Sequence, residues 1–548
     1  MAEARSSPAT MRWWGWGDPN HLSALDEHIL GHLRATVGVS DRPRPPVALA
    51  AVRLAPCRVH RRALDALALI LPAGGVRTDH LARVLHAAGK GYPDLLRLRA
   101  GEPQLSPDAV LYPSSEDQLR SILALCERES IAVVPFGGGT SVVGGLTPLS
   151  GEHAAVAALD LTGLGQITRI DRQSLMITAQ AGMRAVELER QLAPEGLTLG
   201  HFPQSFEYVS LGGCAATRSA GQASTGYGPF EDMVLGLGMI TPTGNLNLAG
   251  YPASAAGPDL RELILGSEGT LGVICELELR VRHAPQQQLY EAVLFEDFPA
   301  GCQALRELAQ EHTAPTVLRL SDLQETRLSM VLAGGGALKS ALTGIYLGAR
   351  GHRDGALAIL GFAGSEVQVD VQRKRVLELV RRHGALALGG KPGRAWARQR
   401  FSGPYLRDDL LTHGVMVETF ETATKWSNLA RAHRNISESV RLALGHPQSP
   451  VLVLCHVSHV YETGASLYFT VITRQREGAE LEQWQTLKQA AAEAMIDSGA
   501  TITHHHAVGT DHARWMGDEI GQRGVDTLRA LKVELDPAGI MNPGKLLP

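Results

Sequence analysis

Three consecutive glycines at 137–139 follow directly on the apolar run 131–136 (IAVVPF), and this junction constrains the fold more than any other feature. The β-branched run predicts a short strand. Residues 119–126 before it have apolar side chains at helical spacing, and Ser115 with Gln118 has the spacing of a capping box. Glycines at the end of a strand allow positive φ and a close approach to a ligand. Their N–H groups can form a nest for an anion such as a diphosphate.

Two common nucleotide-binding loops do not fit this segment. A Walker A loop requires a Lys after its last glycine, and no Lys follows Gly139. A Rossmann fingerprint requires a third glycine at position 142, which is Val142. The segment 135–141 (PFGGGTS) therefore predicts an anion-binding turn of another type, unless it is only a tight structural turn.

Two further segments, 200–228 and 266–274, are dense in Gly, Ser, Thr and Ala. Small side chains suit a backbone that lies against a flat cofactor rather than inside a packed core. Glycine contributes 59 of the 548 residues, which exceeds its usual share of ~7%. Because the chain has no G-X-Y period and 44% of its residues are hydrophobic, neither collagen nor disorder explains this surplus.

Charge and cysteine usage exclude several functional classes. The chain has 52 Lys and Arg against 56 Asp and Glu, so no basic excess suits a nucleic acid. Its six cysteines form no CxxC pair, which predicts reduced thiols in the cytoplasm rather than disulfides or a zinc site. No stretch has the ~18 consecutive apolar residues of a membrane span, and the N-terminus has no signal pattern.

The glycine-rich turn and the two small-residue segments carry a family resemblance. Their motifs PFGGGTS, GGCAATRSAG and GSEGTLGVI resemble the FAD-binding domain of the vanillyl-alcohol oxidase (PCMH-type) flavoprotein superfamily. Within this superfamily, the chain is similar to the alkyldihydroxyacetonephosphate synthases. The similarity extends over most of the chain, through the motifs RWWGWGDPN (12–20), PYLRD (404–408), ETFETATKW (418–426), HHHAVG (504–509) and DPAGIMNPGKLL (536–547).

The resemblance implies an α+β fold class, with a PCMH-type FAD-binding domain of two α+β subdomains and an α+β cap domain. We expect a mostly helical N-terminal region at 1–100, the FAD-binding domain at 101–285, the substrate or cap domain at 286–500, and a C-terminal segment at 501–548 that returns to the FAD domain. Within the cap, the sequence pattern predicts helices near 299–311, 366–383, 425–443 and 479–498, and strands at 451–456 and 466–473.

The resemblance further implies noncovalent FAD, and the sequence has no evident His or Cys attachment signature. The residues expected to bind FAD are Pro135, Phe136, Gly137, Gly138, Gly139, Thr140, Ser141, Gln204, Ser205, Ser210, Thr217, Arg218, Ser219, Glu268, Gly269, Thr270, Val273 and Ile274.

The resemblance also implies where the reaction takes place. The family's site residues fall on the catalytic Tyr468, the histidine triplet His504, His505 and His506, and the substrate-binding Arg407 and Arg319. The implied reaction exchanges the acyl chain of acyl-dihydroxyacetone phosphate for a fatty alcohol through an adduct at flavin N5, as a step of ether lipid synthesis. Such chemistry needs a proton-transferring group, which His or a tuned Tyr supplies, and fixed cations for a phosphate, which Arg supplies.

Two other interpretations stay open. An FAD-dependent dehydrogenase or oxidase of a 2-hydroxy acid, such as D-lactate or glycolate, would place Arg407 or Arg319 on the carboxylate and a His on the hydroxyl proton. A flavin-binding scaffold without turnover is the third class. Taken alone, Tyr468 would be a core aromatic and Arg407 a surface charge.

The histidines are not expected to bind a metal. On a strand, His504 and His506 would share one face and His505 the other, so at most two of them converge, and no third ligand is evident. His456 and His459 (HVSH) are expected to pack at a strand edge.

The expected partner is a small-molecule or lipid substrate, and the family implies a homodimer. A long-chain substrate implies transient contact with a membrane surface, although no helix expected from the sequence is basic and amphipathic enough to indicate one. Two segments depart from the family's pattern. These are 509–512 (GTDH), where basic residues are usual, and the loop after Gly389 (GGKPGRAWARQRFSG).

Overall fold

A computed structural model describes residues 11–21, 25, 27–40, 42–332, 350–445 and 450–548 of the chain. The first five helices are α1 Glu27–Thr36, α2 Arg61–Ile70, α3 His80–Leu85, α4 Tyr92–Arg99 and α5 Glu116–Arg128. The predicted start of α5 is confirmed, because the Ser115 hydroxyl accepts the backbone N–H of Gln118 at 3.3 Å.

The first sheet contains the strand that ends at the three glycines. Its strands are β1 Val76–Arg77, β2 Ala109–Leu111, β3 Ile131–Phe136 and β4 Ala155–Asp160, in the order β1-β2-β4-β3. β2, β4 and β3 are parallel and almost entirely buried, as their apolar runs predict. Residues 540–542 pair with the outer edge of β3. Val133 N–H donates to the Ile540 carbonyl and Asn542 N–H donates to the Val133 carbonyl, each at 2.8 Å.

The second sheet follows in sequence and is antiparallel. The strands in this region are β5 Ile167–Asp171, β6 Met176–Gln180, β7 Leu197–Thr198, β8 Val234–Thr241, β9 Gly244–Leu248, β10 Val273–Arg280 and β11 Arg282–His283. The sheet order is β5-β6-β10-β8-β9, and β7 pairs separately with β11. Four short helices connect these strands, namely α6 Ala185–Leu192, α7 Leu211–Ala216, α8 Ser224–Tyr227 and α9 Arg261–Ile264.

The third sheet has seven antiparallel strands and packs against helices. The strands are β12 Gln287–Phe295, β13 Val317–Ser321, β14 Ala356–Gly364, β15 Leu386–Gly389, β16 Val415–Lys425, β17 Leu452–Val460 and β18 Gly464–Arg474, in the order β15-β12-β14-β13-β17-β18-β16. The helices are α10 Phe298–Gln310, α11 Leu323–Leu332, α12 Glu366–Arg382, α13 Gly390–Gln399, α14 Gly403–Thr412, α15 Trp426–Leu444, α16 Glu480–Asp497 and α17 Met516–Leu535. The largest apolar core lies between the sheet and helices α10, α12, α15 and α16.

The predicted helices and strands of the cap are confirmed, with bounds that differ by a few residues. The segment after Gly389 is a helix, α13, and not the loop that its glycines indicate. Pro392 lies in the first turn, where a missing N–H is tolerated, and Gly393 packs against the backbone of Glu291 in β12. In the described ranges, no helix is both long and apolar enough to cross a bilayer.

Two expectations about the histidines are wrong. His456 and His459 do not lie at an edge, because β17 lies between β13 and β18 in the interior of the sheet. Residues 504–506 form a series of bends and not a strand, so the alternating faces expected for them do not apply.

Candidate active site

A cavity of about 520 Å³ lies where the glycine turn, the segment 203–222 and the third sheet meet. Backbone forms one wall of it. A Cβ at Gly137 would overlap the Ser210 hydroxyl, and a Cβ at Gly138 would overlap the Tyr208 carbonyl, while Gly139 has a φ of +69°. Only glycines fit these positions, so the turn presents main-chain groups and no side chains to the cavity. This wall fits a flat cofactor that carries a diphosphate.

Most of the residues expected to bind FAD line this one cavity. The lining includes Pro135, Phe136, Gly137, Gly138, Gly139, Thr140, Ser141, Gln204, Ser205, Ser210, Thr217, Ser219, Glu268, Gly269 and Ile274. Three expected residues lie elsewhere. Arg218 forms an ion pair with Glu262, and the Thr270 hydroxyl donates to the Ser267 carbonyl at 2.7 Å. Val273 is buried in the apolar core that the second sheet shares with the first sheet.

Glu268 joins the cofactor wall to the C-terminal segment. Its two carboxylate oxygens accept the backbone N–H groups of Val508 and Gly509, each at 2.8 Å. The Asn542 side chain donates to the Glu268 carbonyl at 2.6 Å. Burial raises the pKa of Glu268 to about 7. The carboxylate therefore fixes the loop that directly follows the histidine triplet.

Tyr468 and His456 form a stacked pair on the opposite wall. They face each other across β17 and β18, and their ring centroids are 4.9 Å apart. Burial raises the pKa of Tyr468 to about 12, so the phenol keeps its proton at neutral pH. The sequence does not single out His456 as a site residue, because its place in the cavity depends on the pairing of these two strands.

Arg319 reaches the cavity from β13 and forms an ion pair with Glu325 of α11. His456 Nδ1 lies 2.9 Å from the Glu325 carboxylate and 3.1 Å from the Arg319 guanidinium. Burial alone would raise the pKa of Glu325, but His456 and Arg319 hold it well below its usual range. The three side chains form one buried charged network beside Tyr468.

The histidine triplet is held by a single buried carboxylate, Glu421 of β16. It accepts the backbone N–H groups of His504, His505 at 3.0 Å and His506 at 2.8 Å, and the Thr503 hydroxyl at 2.8 Å. Burial opposes the charge of Glu421, yet the donated backbone N–H groups keep its pKa below the usual range. This residue lies inside the motif ETFETATKW, but its role cannot be seen without the fold.

Burial keeps the imidazoles of the triplet neutral. It lowers the pKa of His504 and of His505 to about 4 and also lowers that of His506. His505 and His506 line the cavity, with ring centroids 6.0 Å and 5.5 Å from that of Tyr468. His504 instead turns to the Tyr461 hydroxyl, 2.6 Å from its Nε2.

His459 supplies a third converging imidazole that sequence reasoning missed. In the described part of the chain, potential ligand atoms of His459, His504 and His505 lie within 4.8 Å of one another. Their nitrogens also have protein partners. His459 Nε2 lies 3.0 Å from the Gly221 carbonyl, and the Nδ1 atoms of His504 and His505 are 2.8 Å apart.

Arg407 lines the cavity from α14 and is fixed by two partners. It donates to the Lys90 carbonyl at 2.8 Å and to the Asp408 carboxylate at 3.1 Å and 3.3 Å. The same carboxylate accepts the backbone N–H of Trp16, which also lines the cavity. The N-terminal tryptophan segment and the arginine are thus organised by Asp408.

Another part of the cavity wall is apolar. Its side chains belong to the cluster between α1, α14 and the third sheet, and are Leu328, Leu406, Leu410, Val417, Leu454 and Ile472. The segment 509–512, which departs from the family's pattern, lies outside the cavity lining. There, His512 Nε2 is 3.0 Å from Lys488 Nζ of α16. The departure therefore changes no residue of the cavity wall.

Known proteins share both the fold and the sequence motifs. A family model described as FAD binding domain matches residues 107–248, and one described as FAD linked oxidases, C-terminal domain, matches residues 284–546. The alkyldihydroxyacetonephosphate synthase of Dictyostelium discoideum is 30% identical over 571 residues, covering 98% of this chain and 93% of that protein.

Solved structures give the same result. One of an alkyldihydroxyacetonephosphate synthase has a TM-score of 0.84 at 28% identity, covering 97% of this chain and 98% of its own. A structure of p-cresol methylhydroxylase with bound substrate has a TM-score of 0.67 at 16% identity, covering 90% of this chain and 98% of its own, and shares the fold alone.

These matches confirm the PCMH-type α+β fold and FAD as the cofactor. The glycine turn lies inside the segment matched as an FAD binding domain, and Tyr468 with the triplet lies inside the segment matched as the C-terminal domain of FAD linked oxidases. Since the full-length similarity includes both walls of the cavity, the chain belongs to the alkyldihydroxyacetonephosphate synthase family of FAD-dependent enzymes.

Proposed function

We propose that this enzyme exchanges the acyl chain of acyl-dihydroxyacetone phosphate for a fatty alcohol, releasing a fatty acid. One observation carries the proposal: a single cavity joins the glycine wall, the Tyr468 and histidine group, and an apolar wall. The overall reaction replaces an ester by an ether and is redox-neutral. It therefore needs proton transfer, a phosphate site and room for long chains.

The histidines and Tyr468 have different roles in the proton transfers. Bound FAD would supply a reactive ring that lets the ester carbon change its substituent without net oxidation. His505 and His506 are neutral, so either can accept a proton from the carbon that bears the ester. The imidazole returns a proton to that carbon after the alcohol has replaced the fatty acid, and the proton of the alcohol leaves with the fatty acid. The nearby Glu421 carboxylate stabilises the imidazolium that results. Tyr468 keeps its proton and can donate a hydrogen bond to a substrate oxygen.

Arg319 and Arg407 supply fixed cations for the phosphate. Both line the cavity, and a guanidinium matches a phosphate in a bidentate geometry. Each is preorganised by a carboxylate, Glu325 for Arg319 and Asp408 for Arg407. The side chains therefore need little ordering when the substrate binds.

The apolar wall suits the long chains of both substrates. Burying a methylene group stabilises a complex by ~0.8 kcal/mol, so an acyl or alkyl chain along Leu410, Val417 and Ile472 would contribute strongly to binding. The family further supports a homodimer, and the six free cysteines support a reducing, cytoplasmic location. Sedimentation and cell fractionation test these two points.

An anaerobic assay tests the function directly. The yellow protein is mixed with palmitoyl-dihydroxyacetone phosphate and hexadecanol, and the ether product and released palmitate are measured by mass spectrometry. We expect equal amounts of both products, with the flavin oxidised at the end of the reaction. In a parallel assay, D-lactate or glycolate should leave the flavin absorbance unchanged. Rapid bleaching by either acid, with no ether product, would favour the dehydrogenase instead.

A further inference from the structure

One wall of the cavity is the inner face of the third sheet, and its side chains are arranged in rows. Alternate residues of a strand face the same side, so residues that pair across β16 and β18 form successive rows about 6.6 Å apart, twice the rise per residue. Tyr468 lies in the row that contains Glu421. The next row, here called the threonine row, is Thr419 with Thr470, and the row after it is Val417 with Ile472.

The register of the other strands places Arg319 on the opposite side of Tyr468 from the threonine row. On β17, the residue before Val457 lies opposite Tyr468. On the antiparallel β13, Leu320 pairs with Val457. Arg319 precedes Leu320, so it lies beyond the row of Tyr468, while the threonine row lies on the other side of that row.

The threonine row differs from the other threonines of these two strands. Thr422 and Thr473 face the opposite side of the sheet, where each hydroxyl donates to a backbone carbonyl. Thr419 and Thr470 line the cavity instead, and in the described part of the chain neither hydroxyl donates to a backbone carbonyl. The Cβ atoms of directly opposite residues are about 4.5–5.5 Å apart. Both hydroxyls can therefore reach one carboxyl group.

The order of the rows matches the order of the groups in the proposed substrate. In acyl-dihydroxyacetone phosphate, the phosphate, the carbon that bears the ester, the carboxyl group and the hydrocarbon chain follow one another. Along the sheet, the Arg319 cation, the Tyr468 row, the threonine row and the apolar row of Val417 and Ile472 follow in the same order. A substrate with its phosphate at Arg319 and its reacting carbon at Tyr468 therefore has its carboxyl group at the threonine row.

We propose that Thr419 and Thr470 bind the carboxyl group of the acyl chain and stabilise it as it leaves. The proposal rests on the proposed function and assigns the part of the cavity that recognises the acyl chain. Because a fatty alcohol has no carboxyl group, the threonine row also distinguishes the acyl chain from the alkyl chain.

The chemistry of the leaving group requires such donors. When the bond between the reacting carbon and the ester oxygen breaks, both electrons of the bond stay on that oxygen, so negative charge develops on the carboxyl group. The carbon forms its new bond with an electron pair of the alcohol oxygen, and the proton of the alcohol passes to the fatty acid. Hydroxyl groups that donate to the developing charge lower the energy of this step.

Ligand binding to the holoenzyme tests the carboxyl site without turnover. Radiolabelled decanoate and decanol are measured separately by equilibrium dialysis, with inorganic phosphate present throughout to occupy the arginines. Each hydrogen bond to a charged group contributes about ten-fold in binding, so Thr419→Val/Thr470→Val should weaken decanoate binding on the order of 100-fold. The binding of decanol should change little, because valine has nearly the shape of threonine.

Two variants serve as controls. Thr419→Ser/Thr470→Ser keeps both hydroxyls and should bind decanoate like the wild type. Thr168→Val/Thr178→Val changes two threonines of β5 and β6, outside the cavity lining, and should also bind it normally. Valine favours strands, so all variants should keep their circular dichroism and FAD content. Equal losses for decanoate and decanol, normal decanoate binding by Thr419→Val/Thr470→Val, or a wild type that does not bind decanoate would overturn the proposal.

Turnover assays keep this proposal distinct from the proposed function. In the exchange assay, kcat of Thr419→Val/Thr470→Val should fall at least about ten-fold with the palmitoyl substrate. The loss should be smaller with an α,α-difluoro acyl chain, whose carboxylate needs less stabilisation. Ether formation by the wild type together with normal decanoate binding by the variant would refute the carboxyl site alone. A selective loss of decanoate binding in a protein that forms no ether would refute the exchange reaction and leave the carboxyl site standing.

Discussion

The Glu421 carboxylate accepts the backbone N–H of His506 at 2.8 Å, and so ties the active-site histidines to the middle of β16. We expect Glu421→Gln to lower kcat about 100-fold, because the amide would direct N–H groups at backbone donors and displace the imidazoles. Exchange kinetics and bound FAD measure the effect. FAD content should not change.

The matched control for this variant is Glu418→Gln. Glu418 is a buried carboxylate on the same strand, but it accepts the Trp484 indole N–H at 2.8 Å and does not contact the triplet. It should retain most of the activity. Similar losses in both variants would mean that Glu421 acts only through overall stability.

Tyr468→Phe should lower kcat by about 10²–10⁴-fold, the usual effect of losing a proton-transferring group. The phenyl ring would still stack on His456, so the fold and the FAD content should be unchanged. Tyr290→Phe serves as the control, because the Tyr290 hydroxyl lies outside the histidine group and accepts a long hydrogen bond from Arg400, at 3.4 Å. Retained exchange activity in Tyr468→Phe would contradict the assigned role.

A side chain introduced into the glycine wall should prevent FAD binding while the protein still folds. In Gly138→Ala the new methyl group would overlap the Tyr208 carbonyl, and we expect the purified protein to be pale, with little absorbance near 450 nm. Gly517→Ala is the comparison, because a Cβ there meets no described atom within 4 Å apart from the backbone of its own helix. Both variants should have wild-type circular dichroism.

Arg319 should contribute both to the stability of the protein and to its activity, and two variants can separate these contributions. Arg319→Met leaves Glu325 and His456 buried without their cation, and is expected to lower the free energy of unfolding by about 3–5 kcal/mol. Adding Glu325→Gln should restore most of the stability but not the activity, if Arg319 also binds the phosphate. Denaturant titrations and KM values together distinguish the two effects.

The kcat/KM of the exchange reaction should depend little on pH over a broad range. Burial lowers the pKa of His505 from 6.5 to about 4, so the imidazole stays neutral and active well below the usual range of histidine. We expect kcat/KM to be flat across neutral pH and to fall only near pH 4. Because the Glu421 carboxylate raises the pKa of His505, Glu421→Gln should move this acid limb to lower pH. An acid limb near pH 6.5 would show that the histidine is solvated.

Local signals predicted much of the fold. Ser115 and the apolar spacing after it define α5, and the β-branched run 131–136 defines β3. The third sheet could not be predicted in the same way, because strand order depends on contacts between distant segments. β12, for example, pairs with β14 and β15, which follow much later in the sequence.

The candidate site, like the fold, could be predicted from the sequence only in part. Arg407 and the triplet lie in motifs that resemble the family, and the same resemblance implies Tyr468. His459, in contrast, looks like an ordinary strand residue in the sequence. Its position beside His504 results from the location of β17 between two other strands. The sequence does not reveal the role of Glu421 either, because this role depends on the hydrogen bonds that Glu421 accepts from the loop 503–506.

The pairing of Val133 with Met541 has a consequence for biosynthesis. A ribosome delivers β3 long before it delivers residues 540–542, so during translation the strand that leads into the glycine turn has an open edge. Cofactor loading is therefore expected to be post-translational, and a fragment that contains only the first two sheets should aggregate rather than bind FAD. The FAD-binding domain is therefore expected to be complete only after the C-terminal segment has been synthesised.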